Sequence, residues 1–507
     1  MKVSGLSKTG AGYGLRGWRI GSALLALAFV WGGWGADSLQ AQQWRSRISS
    51  RVQYVEAQTL RLDSIPSSAT SISNGRTVVG DTVVTCTTGA DYCYFYRGGP
   101  VIHNSPTTLD ADLNVFGFGV EGLRLYVNTR FMWNFGGTPD FWPLVNQNFQ
   151  LLNAYLELNR EVFRIRVGRD YNVSGLGFYG YDGGSALFRI KPARIELEAY
   201  GGWGLARGVP YPVNASLFDP LGTFKPQDRN YLWGVRGSAR PSVNSAIEFI
   251  YQRELPTTRS GIASERLAFE GSWYPIPAVS LLAHADYDIA TGLWGKAGVT
   301  AGWEAHRMLY LEGGLFRYRP VFSLQEIWVA FSPVAYNAWN LSLGFKPLYN
   351  VWFKLWGERR QYGETQAEVS YFATTDRDWR VGAKAGWNIR EFMGVPWDIE
   401  GGYWINYGFG AALSSGDLRV GIRPHEQLSL GLRFAAWQQL YEFRIDDGRV
   451  WGLGGDIRWR TRGGTIWFSM DGYDHHQANN AALVDWTQFR GALGFSYYLG
   501  SEPGRAP

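Results

Sequence analysis

The sequence predicts an all-β protein: a single transmembrane, antiparallel, up-and-down β-barrel of about 22 strands. Three observations predict this fold. Apolar and polar residues alternate in many short segments, and short turns alternate with long loops between those segments. Aromatic residues make up 16% of the 507 residues and cluster at the segment ends. In membrane barrels apolar side chains face lipid, polar side chains face the interior, and aromatic rings lie at the two interfaces.

The alternation is clearest in the segment 123–131, where Leu, Leu, Val, Thr and Phe occupy the odd positions and Arg, Tyr, Asn and Arg the even ones. The same pattern recurs at 163–168, 194–199, 428–434 and 492–499. Because successive side chains of a strand point to opposite faces, each segment is predicted to be a strand with one apolar and one polar face.

The connections between these strands predict how the strands are arranged. Tight turns rich in Pro and Gly, which suit turn dihedral angles, are predicted at 159–161, 191–192, 240–242, 275–277, 306–307, 346–348, 423–425 and 461–464. Longer polar or Gly-rich loops are predicted at 134–148, 172–184, 204–229, 255–264, 439–448 and 473–485. Short turns at one end of the strands and long loops at the other are typical of outer-membrane barrels.

The strand count depends on a few segments. The first strand is expected near 44–60 and the last near 486–499, whereas 324–331 and 366–374 can be strands or loop structure. We therefore expect an even number of roughly 18 to 24 strands. The segment 61–106 alternates poorly, is rich in Ser and Thr, and is predicted to be a long external loop or loop hairpin.

Other β architectures fit less well. A propeller would show a motif recurring every 40–50 residues, which is absent here, and a soluble sandwich would leave too much apolar surface uncovered. A TonB-dependent receptor needs a plug domain before its barrel, yet alternation begins by about residue 110. A barrel-assembly protein needs preceding repeats of mixed α/β character, which the sequence lacks.

The first 41 residues are predicted to be a cleaved export signal. A basic start precedes an apolar stretch at 20–31, and a polar segment ends at Ala41. The apolar stretch is shorter than the roughly 20 residues that span a bilayer as a helix, although an uncleaved anchor is the alternative. Residues 42–507 would then form one barrel domain in a bacterial outer membrane, inserted by the barrel-assembly machinery.

Charge and cysteine content agree with this interpretation. The net charge is +5, of which +3 lies in the first 41 residues, so the remainder is nearly neutral and predicts no nucleic-acid partner. Cys86 and Cys93 are the two cysteines. In an oxidising compartment they are expected to form a disulfide; free thiols or a metal site, with His103 as the nearest His, are the alternatives. No cofactor or metal is expected.

The polar faces of the strands predict which charged residues line the lumen. The expected lining residues are Arg124, Arg130, Glu157, Arg164, Arg166, Arg194, Glu196, Arg236, Arg380, Arg419, Arg433, Asp456, Arg458 and Arg490. Opposite charges on neighbouring strands can pair and stiffen the wall. Alternatively, unpaired Arg side chains can form a constriction that selects anions. Arg164 and Arg166 adjoin a strand whose inward-facing set contains only the acid Glu157, and neighbouring Glu residues are expected to neutralise only part of their charge, which predicts modest anion selectivity.

A family resemblance appears in one hairpin. The strand 153–159 (NAYLELN), a tight turn, the strand 163–170 (FRIRVGRD) and the later segment 179–184 (YGYDGG) resemble substrate-specific porins of the alginate-export type. The resemblance covers roughly 40 residues and implies an electropositive lumen that passes an anionic polymer or solute. The chain ends differently from many outer-membrane barrels, whose last residue is Phe, because its last strand is followed by residues 500–507.

We therefore expect a passive channel for small or anionic hydrophilic solutes. A structural or adhesive barrel acting through its external loops is the alternative. An enzyme is not expected: of the six His, only His284 has a carboxylate, Asp286, near it on a predicted strand face. His475 and His476 are adjacent, so their side chains diverge and would need metal ligands from elsewhere. The sequence does not predict the oligomeric state.

Overall fold

The computed structural model describes residues 43–135, 148–205, 230–319, 335–363, 377–442, 448–477 and 486–500, with short breaks at 74–75, 80–81, 87–88, 90, 258–259 and 409–410. The predicted export signal and parts of the predicted loops, such as 206–229 and 478–485, lie outside the described residues. Among the residues described, we find no α-helix with the length and hydrophobicity of a bilayer-spanning helix.

Twenty-six strands and one short 3-10 helix, Ser67–Ala69, make up the described structure. The strands are β1 (Gln43–Pro66), β2 (Ser71–Ser73), β3 (Arg76–Val79), β4 (Thr82–Val83), β5 (Thr85–Cys86), β6 (Tyr92–Phe116), β7 (Leu123–Phe135), β8 (Phe149–Asn159), β9 (Phe163–Ser174), β10 (Gly177–Ile190), β11 (Ile195–Gly204), β12 (Tyr231–Ser242), β13 (Ser245–Leu255), β14 (Ser264–Ile276), β15 (Val279–Asp288), β16 (Leu293–His306), β17 (Leu309–Tyr318), β18 (Tyr336–Leu348), β19 (Val351–Tyr362), β20 (Arg377–Phe392), β21 (Val395–Gly408), β22 (Ala411–His425), β23 (Leu428–Glu442), β24 (Gly448–Arg460), β25 (Gly464–Gln477) and β26 (Trp486–Gly500).

The strands close into one barrel. From β6 to β26 each strand pairs antiparallel with the next in the chain, and β1 closes the sheet by pairing with both β6 and β26. The sheet has 23 strands, of which β5 is a two-residue strand lying beside the outer part of β6, so the closed wall has 22. The predicted all-β, up-and-down barrel of about 22 strands is confirmed.

Short turns gather at one rim and the longer connections join the strands at the other. We call them the turn rim and the loop rim. The turn rim contains 191–194, 277–278 and 426–427, whereas the connections 205–230 and 363–376 join strands at the loop rim. Both described ends, at 43 and 500, lie at the turn rim, because β1 and β26 begin and end there in register. This alternation is the one expected from the sequence.

Several predicted loops are shorter than expected. The prediction of a loop at 172–184 is wrong: β9 continues to Ser174 and β10 starts at Gly177. Likewise β23 continues to Glu442, into the loop predicted at 439–448. β25 continues to Gln477, into the loop predicted at 473–485. These strand ends extend past the regular apolar–polar pattern, so alternation alone does not reveal them.

The segment 61–106 is built mainly as a hairpin. β1 pairs with β26 only as far as Val55, and β6 pairs with β7 only from Ser105 onward. Beyond these points β1 and β6 continue to pair with each other as far as Pro66 and Tyr92. We call this extension the hairpin arm; it projects from the loop rim. The predicted disulfide is confirmed, since Cys86 and Cys93 are joined at the outer end of the arm.

The two faces of the wall differ in chemistry. Cross-strand neighbours share a face, and one face carries large exposed apolar side chains such as Val167, Leu341 and Leu453. The other face carries buried charged side chains such as Glu157 and Asp286. In a closed barrel only the inner face can bury charges, so the apolar face is the outer one. Twenty-two strands about 4.8 Å apart and tilted by roughly 40° enclose a cylinder of about 45 Å backbone diameter, which wall side chains alone cannot fill.

Candidate functional site

The interior of the barrel is lined by cross-strand rows of polar side chains. One row runs from Arg124 on β7 through Glu157 on β8 and Arg166 on β9 to Ser185 on β10. Its members meet because antiparallel register places residues directly opposite each other on one face. These arginines lie on the polar face of their strands.

The arginines of this row are paired with carboxylates. Glu157, only 1% exposed, accepts hydrogen bonds from Arg124 Nη2 (3.0 Å) and Arg166 Nε (2.6 Å). Arg166 Nη1 also donates to Asp170 at 2.9 Å, and Arg164 Nη2 donates to Glu198 at 2.9 Å. Three arginines therefore face three carboxylates. Glu157 lies on the neighbouring strand β8, whereas Asp170 on β9 and Glu198 on β11 complete the neutralisation of Arg164 and Arg166.

Four of the other ten predicted lining residues also form ion pairs on the inner face. Arg130 pairs with Asp110 (2.5 Å), Arg236 with Glu248 (2.5 Å) and Arg433 with Asp471 (3.0 Å). Glu196 lies 3.4 Å from Arg189. At these positions the structure favours charge pairing across neighbouring strands, the first of the two alternatives that the sequence left open.

The remaining predicted residues behave differently. Arg194 does not lie on the wall: it occupies the turn between β10 and β11 with φ of 52°. Arg419, Arg458 and Arg490 lie exposed on inward-facing positions. Asp456 is also inward-facing, opposite Ser469 on β25, and Arg380 is held between two indole rings, as described below.

The end of the β9–β10 hairpin leaves the wall and folds into the lumen. We call residues 171–180 the inward tip. β10 pairs with β11 only from Tyr181 onward, so the inward tip is held by its own strand pairing. Gly183 permits the bend, because a Cβ there would collide with the backbone of Gly201 and Gly202 on β11. The motif 179–184 that carries the family resemblance is therefore the segment that bends inward.

The inward tip is anchored four strands away, on the inner face of β14. Leu176 and Tyr179 pack in an apolar cluster with Tyr200, Ile250 and Ala268, all buried. These side chains come from β11, β13 and β14, so the tip crosses the inner face of the intervening strands. The cluster has the apolar character of a small protein core, although it lies within the lumen.

One arginine binds the inward tip to the wall. Arg266, on β14, donates from Nη1 to the carbonyl oxygen of Leu176 (3.2 Å) and to the hydroxyl of Tyr179 (3.0 Å). Its Nη2 donates to Asp286 on β15 at 2.5 Å. Arg266 and Asp286 are 8% and 7% exposed. Because the pair is buried and also holds the tip, we call Arg266 the latch residue.

The inward tip narrows one side of the lumen. It covers the wall from β10 to β14, whereas the described residues place no comparable insertion against the wall from β19 to β26. Within the described part of the chain, the lumen is therefore wider on the β19–β26 side. Wall side chains and the inward tip together define the candidate site, which is a partly narrowed passage.

Sequence reasoning missed several residues of this site. Asp170 lies in the motif at 163–170, but alternation does not reveal that it accepts a hydrogen bond from Arg166, four residues earlier on the same strand. Arg266 alternates with Leu267 on the predicted strand, so the pattern could have identified it. His284 and Asp286 share a face as expected, but Asp286 is bound by Arg266. Among described residues no group of three or more His, Cys, Asp or Glu side chains could hold a metal ion.

Comparison with known proteins gives structural similarity without sequence similarity. No protein-family profile matches the sequence, and no curated protein matches it. The chain is similar to OccD3 (OpdP) of Pseudomonas aeruginosa, with 9% identity and a TM-score of 0.38 over 91% of this chain and 92% of the other. It is also similar to a BenF-like porin of Pseudomonas fluorescens Pf-5 (10% identity, TM-score 0.39, 90% and 98% covered) and to a mutant of the Pseudomonas aeruginosa ferric enterobactin receptor PfeA (10%, 0.45, 90% and 80%).

Proposed function

We propose that this protein is a passive channel of a bacterial outer membrane for small or anionic hydrophilic solutes. The observation that carries the proposal is the closed wall of 22 strands with an apolar outer face and a charged inner face. A closed sheet pairs all its backbone groups, as a bilayer requires. An interior too wide for side chains to fill holds water, and the inward tip narrows it without crossing to the opposite wall.

Planar-bilayer recording tests the channel. We expect the purified, refolded protein to insert with stepwise, ohmic current in KCl, because water and ions fill the lumen beside the inward tip. A neutral inner cluster at Arg124, Arg164 and Arg166 predicts weak ion selectivity from this part of the wall. Correctly folded barrels that insert but carry no current would contradict the channel.

The orientation is a separate prediction. We propose that the turn rim faces the periplasm and the loop rim the exterior, as in barrels with short periplasmic turns. Protease added to intact cells should therefore cut within 205–230 or 478–485 and leave 191–194, 426–427 and 461–463 uncut. In permeabilised cells the turns should become accessible, which serves as the control. Cleavage at the short turns in intact cells would reverse the orientation.

The hairpin arm favours a second candidate function, an adhesive or structural barrel. The arm projects from the loop rim and exposes Leu62, Tyr92 and Tyr94 on one face, cross-linked at its end by the disulfide. Deleting residues 57–102, which form the arm and include both cysteines, and joining Glu56 to His103 by a short turn separates the two functions. Conductance should persist, whereas cell attachment through the arm should disappear. Loss of attachment without any conductance in the intact protein would support this candidate.

A further inference from the structure

A cation on the open side of the lumen has an unusual environment. Arg380 on β20 lies between two indole rings, with its guanidinium carbon 4.8 Å from the ring centre of Trp356 on β19 and 4.6 Å from that of Trp404 on β21. Both tryptophans stand in register with Gly382. The glycine makes this arrangement possible, because a Cβ at 382 would overlap the Trp356 ring.

The nearest carboxylates are bound by another arginine. Glu358, opposite Arg380 in register, accepts a hydrogen bond from Arg360 Nε at 2.5 Å. Asp378 lies 3.6 Å from Arg360 Nη1 and accepts a hydrogen bond from the Tyr362 hydroxyl at 2.7 Å. Within the described part of the chain, no carboxylate lies within ion-pair distance of Arg380. It thus differs from Arg124, Arg166 and Arg266, which all have carboxylate partners.

This environment suits an anion-binding group. Stacking on aromatic rings holds a guanidinium in place and shields its two flat faces from water, without neutralising its charge. The N–H groups at its edge then remain to bind an anion. Their planar, forked arrangement matches the two oxygens of a carboxylate, and such charge-assisted pairs are stronger than neutral hydrogen bonds. Lysine in the same place would offer only a point charge.

We propose that Arg380, positioned by Trp356 and Trp404, is a binding subsite for the carboxylate of a passing solute. The proposal deepens and rests on the proposed channel function, since the solute reaches Arg380 through the lumen. The location supports it. Arg380 is three residues from the start of β20, so it lies about 10 Å inside the loop rim. Its strand is ten strands from β10, about half the circumference, and therefore faces the inward tip across the open passage.

Current block by a sugar acid tests the subsite. Gluconate is added to one channel in KCl, with sorbitol as the uncharged probe of similar size. We expect gluconate to reduce the current at a concentration where sorbitol does not. Arg380→Gln should raise the half-blocking concentration of gluconate about tenfold or more. Arg380→Lys, which keeps the charge but not the planar fork, should give an intermediate value.

The matched control removes a different lumen cation. Lys354 lies on the inner face of β19, opposite Lys384, and in the described structure it forms no ion pair. Lys354→Gln removes the same charge and should change the half-blocking concentration less than about twofold. An equal effect of Lys354→Gln and Arg380→Gln would mean that general lumen charge, not the subsite, binds gluconate. Equal block in the unmodified protein and in Arg380→Gln would also overturn the proposal.

A binding measurement without current separates the two proposals. Gluconate is titrated into the detergent-solubilised barrel by calorimetry, with the β content of each variant checked by circular dichroism. Binding that is lost in Arg380→Gln, together with absent conductance, supports the subsite and contradicts the channel. Conductance without any Arg380-dependent binding or block supports the channel and contradicts the subsite. Trp404→Leu, which keeps Arg380, should weaken binding as well, because the guanidinium loses one ring.

Discussion

Replacing Arg266 with alanine is expected to convert a steady single-channel current into one that switches between levels. Arg266 is the latch residue: it binds the inward tip through the Leu176 carbonyl and the Tyr179 hydroxyl, and it binds Asp286 on the wall. Its loss removes the polar contacts of the tip and leaves Asp286 buried without its cation. The tip should then leave and return to the wall, and each position blocks a different share of the lumen.

The expected effect is large. Removing one partner of a buried ion pair costs about 3–5 kcal/mol, and each 1.4 kcal/mol changes an equilibrium constant by about tenfold. The docked and released positions of the tip can therefore become similarly populated. Release of the inward tip also exposes the apolar cluster around Leu176 and Ile250 to water, which is unfavourable. This cost opposes release, so the tip keeps exchanging between the docked and released positions. Single-channel recording in KCl measures the switching.

Arg360→Ala is the control for the loss of an interior arginine. Arg360 binds Glu358 and Asp378, both on the wall, and among described residues it has no contact with the inward tip. Its removal should leave the current steady. If Arg360→Ala switches like Arg266→Ala, the loss of charge and not the release of the tip explains the effect. A steady current in Arg266→Ala would contradict the role of the latch residue.

A cross-link between tip and wall tests the same motion directly. A Cβ built on Gly175 lies 3.4 Å from the Cβ of Ala268, close to the separation found in disulfides. Only the flexible end of Glu270 must move to admit it. Gly175→Cys with Ala268→Cys in the Arg266→Ala background should restore a steady current, and a reductant should abolish it. The same reductant on the unmodified protein controls for reduction of the disulfide between Cys86 and Cys93.

How much the sequence predicted depends on where each segment lies. Wall strands with an apolar outer face and a polar inner face show strict alternation, so the segment 428–434 is predicted as a strand and forms part of β23. The inward tip and the hairpin arm contact water or protein on both sides. They lack the apolar outer face of the wall strands, and their glycines and polar residues resemble a loop. For this reason 172–184 was wrongly predicted to be a loop.

For the charged residues of the lumen, the sequence predicts the strand face but not the partner. Face is a local property with a period of two residues, and Arg124, Arg164 and Arg166 share the polar face that the alternation defines. Partners are not local: Glu198 meets Arg164 because β10 sets the register between β9 and β11. Arg194 fits the alternation but lies in a turn, since alternation does not mark the residue at which a strand begins. Likewise, nothing in the sequence around Arg380 reveals that Trp356 and Trp404 flank it.

The second large effect concerns the outer face. Leu493, in the middle of β26, is 52% exposed and lies beside Phe468 and Val52 on the outer face. Leu493→Arg is expected to lower the free energy of unfolding in lipid vesicles by about 2–4 kcal/mol, as for Arg near a bilayer midplane. Denaturant titration followed by tryptophan fluorescence measures it. The cause is the transfer of a charge from water into hydrocarbon.

The control must place the same residue on the inner face at the same depth. Gly494, the inward neighbour, does not serve, because the Trp467 ring occupies the space that its side chain would need. Ser469 on β25 is better: it is opposite Ala492 and Asp456 on the inner face, so an arginine there meets water and a carboxylate. Ser469→Arg should therefore cost much less than Leu493→Arg. A larger cost for Ser469→Arg than for Leu493→Arg would mean that the two faces are exchanged, as a register shift of one residue would cause. The apolar surface would then line the lumen, and a water-filled channel through this barrel would be excluded.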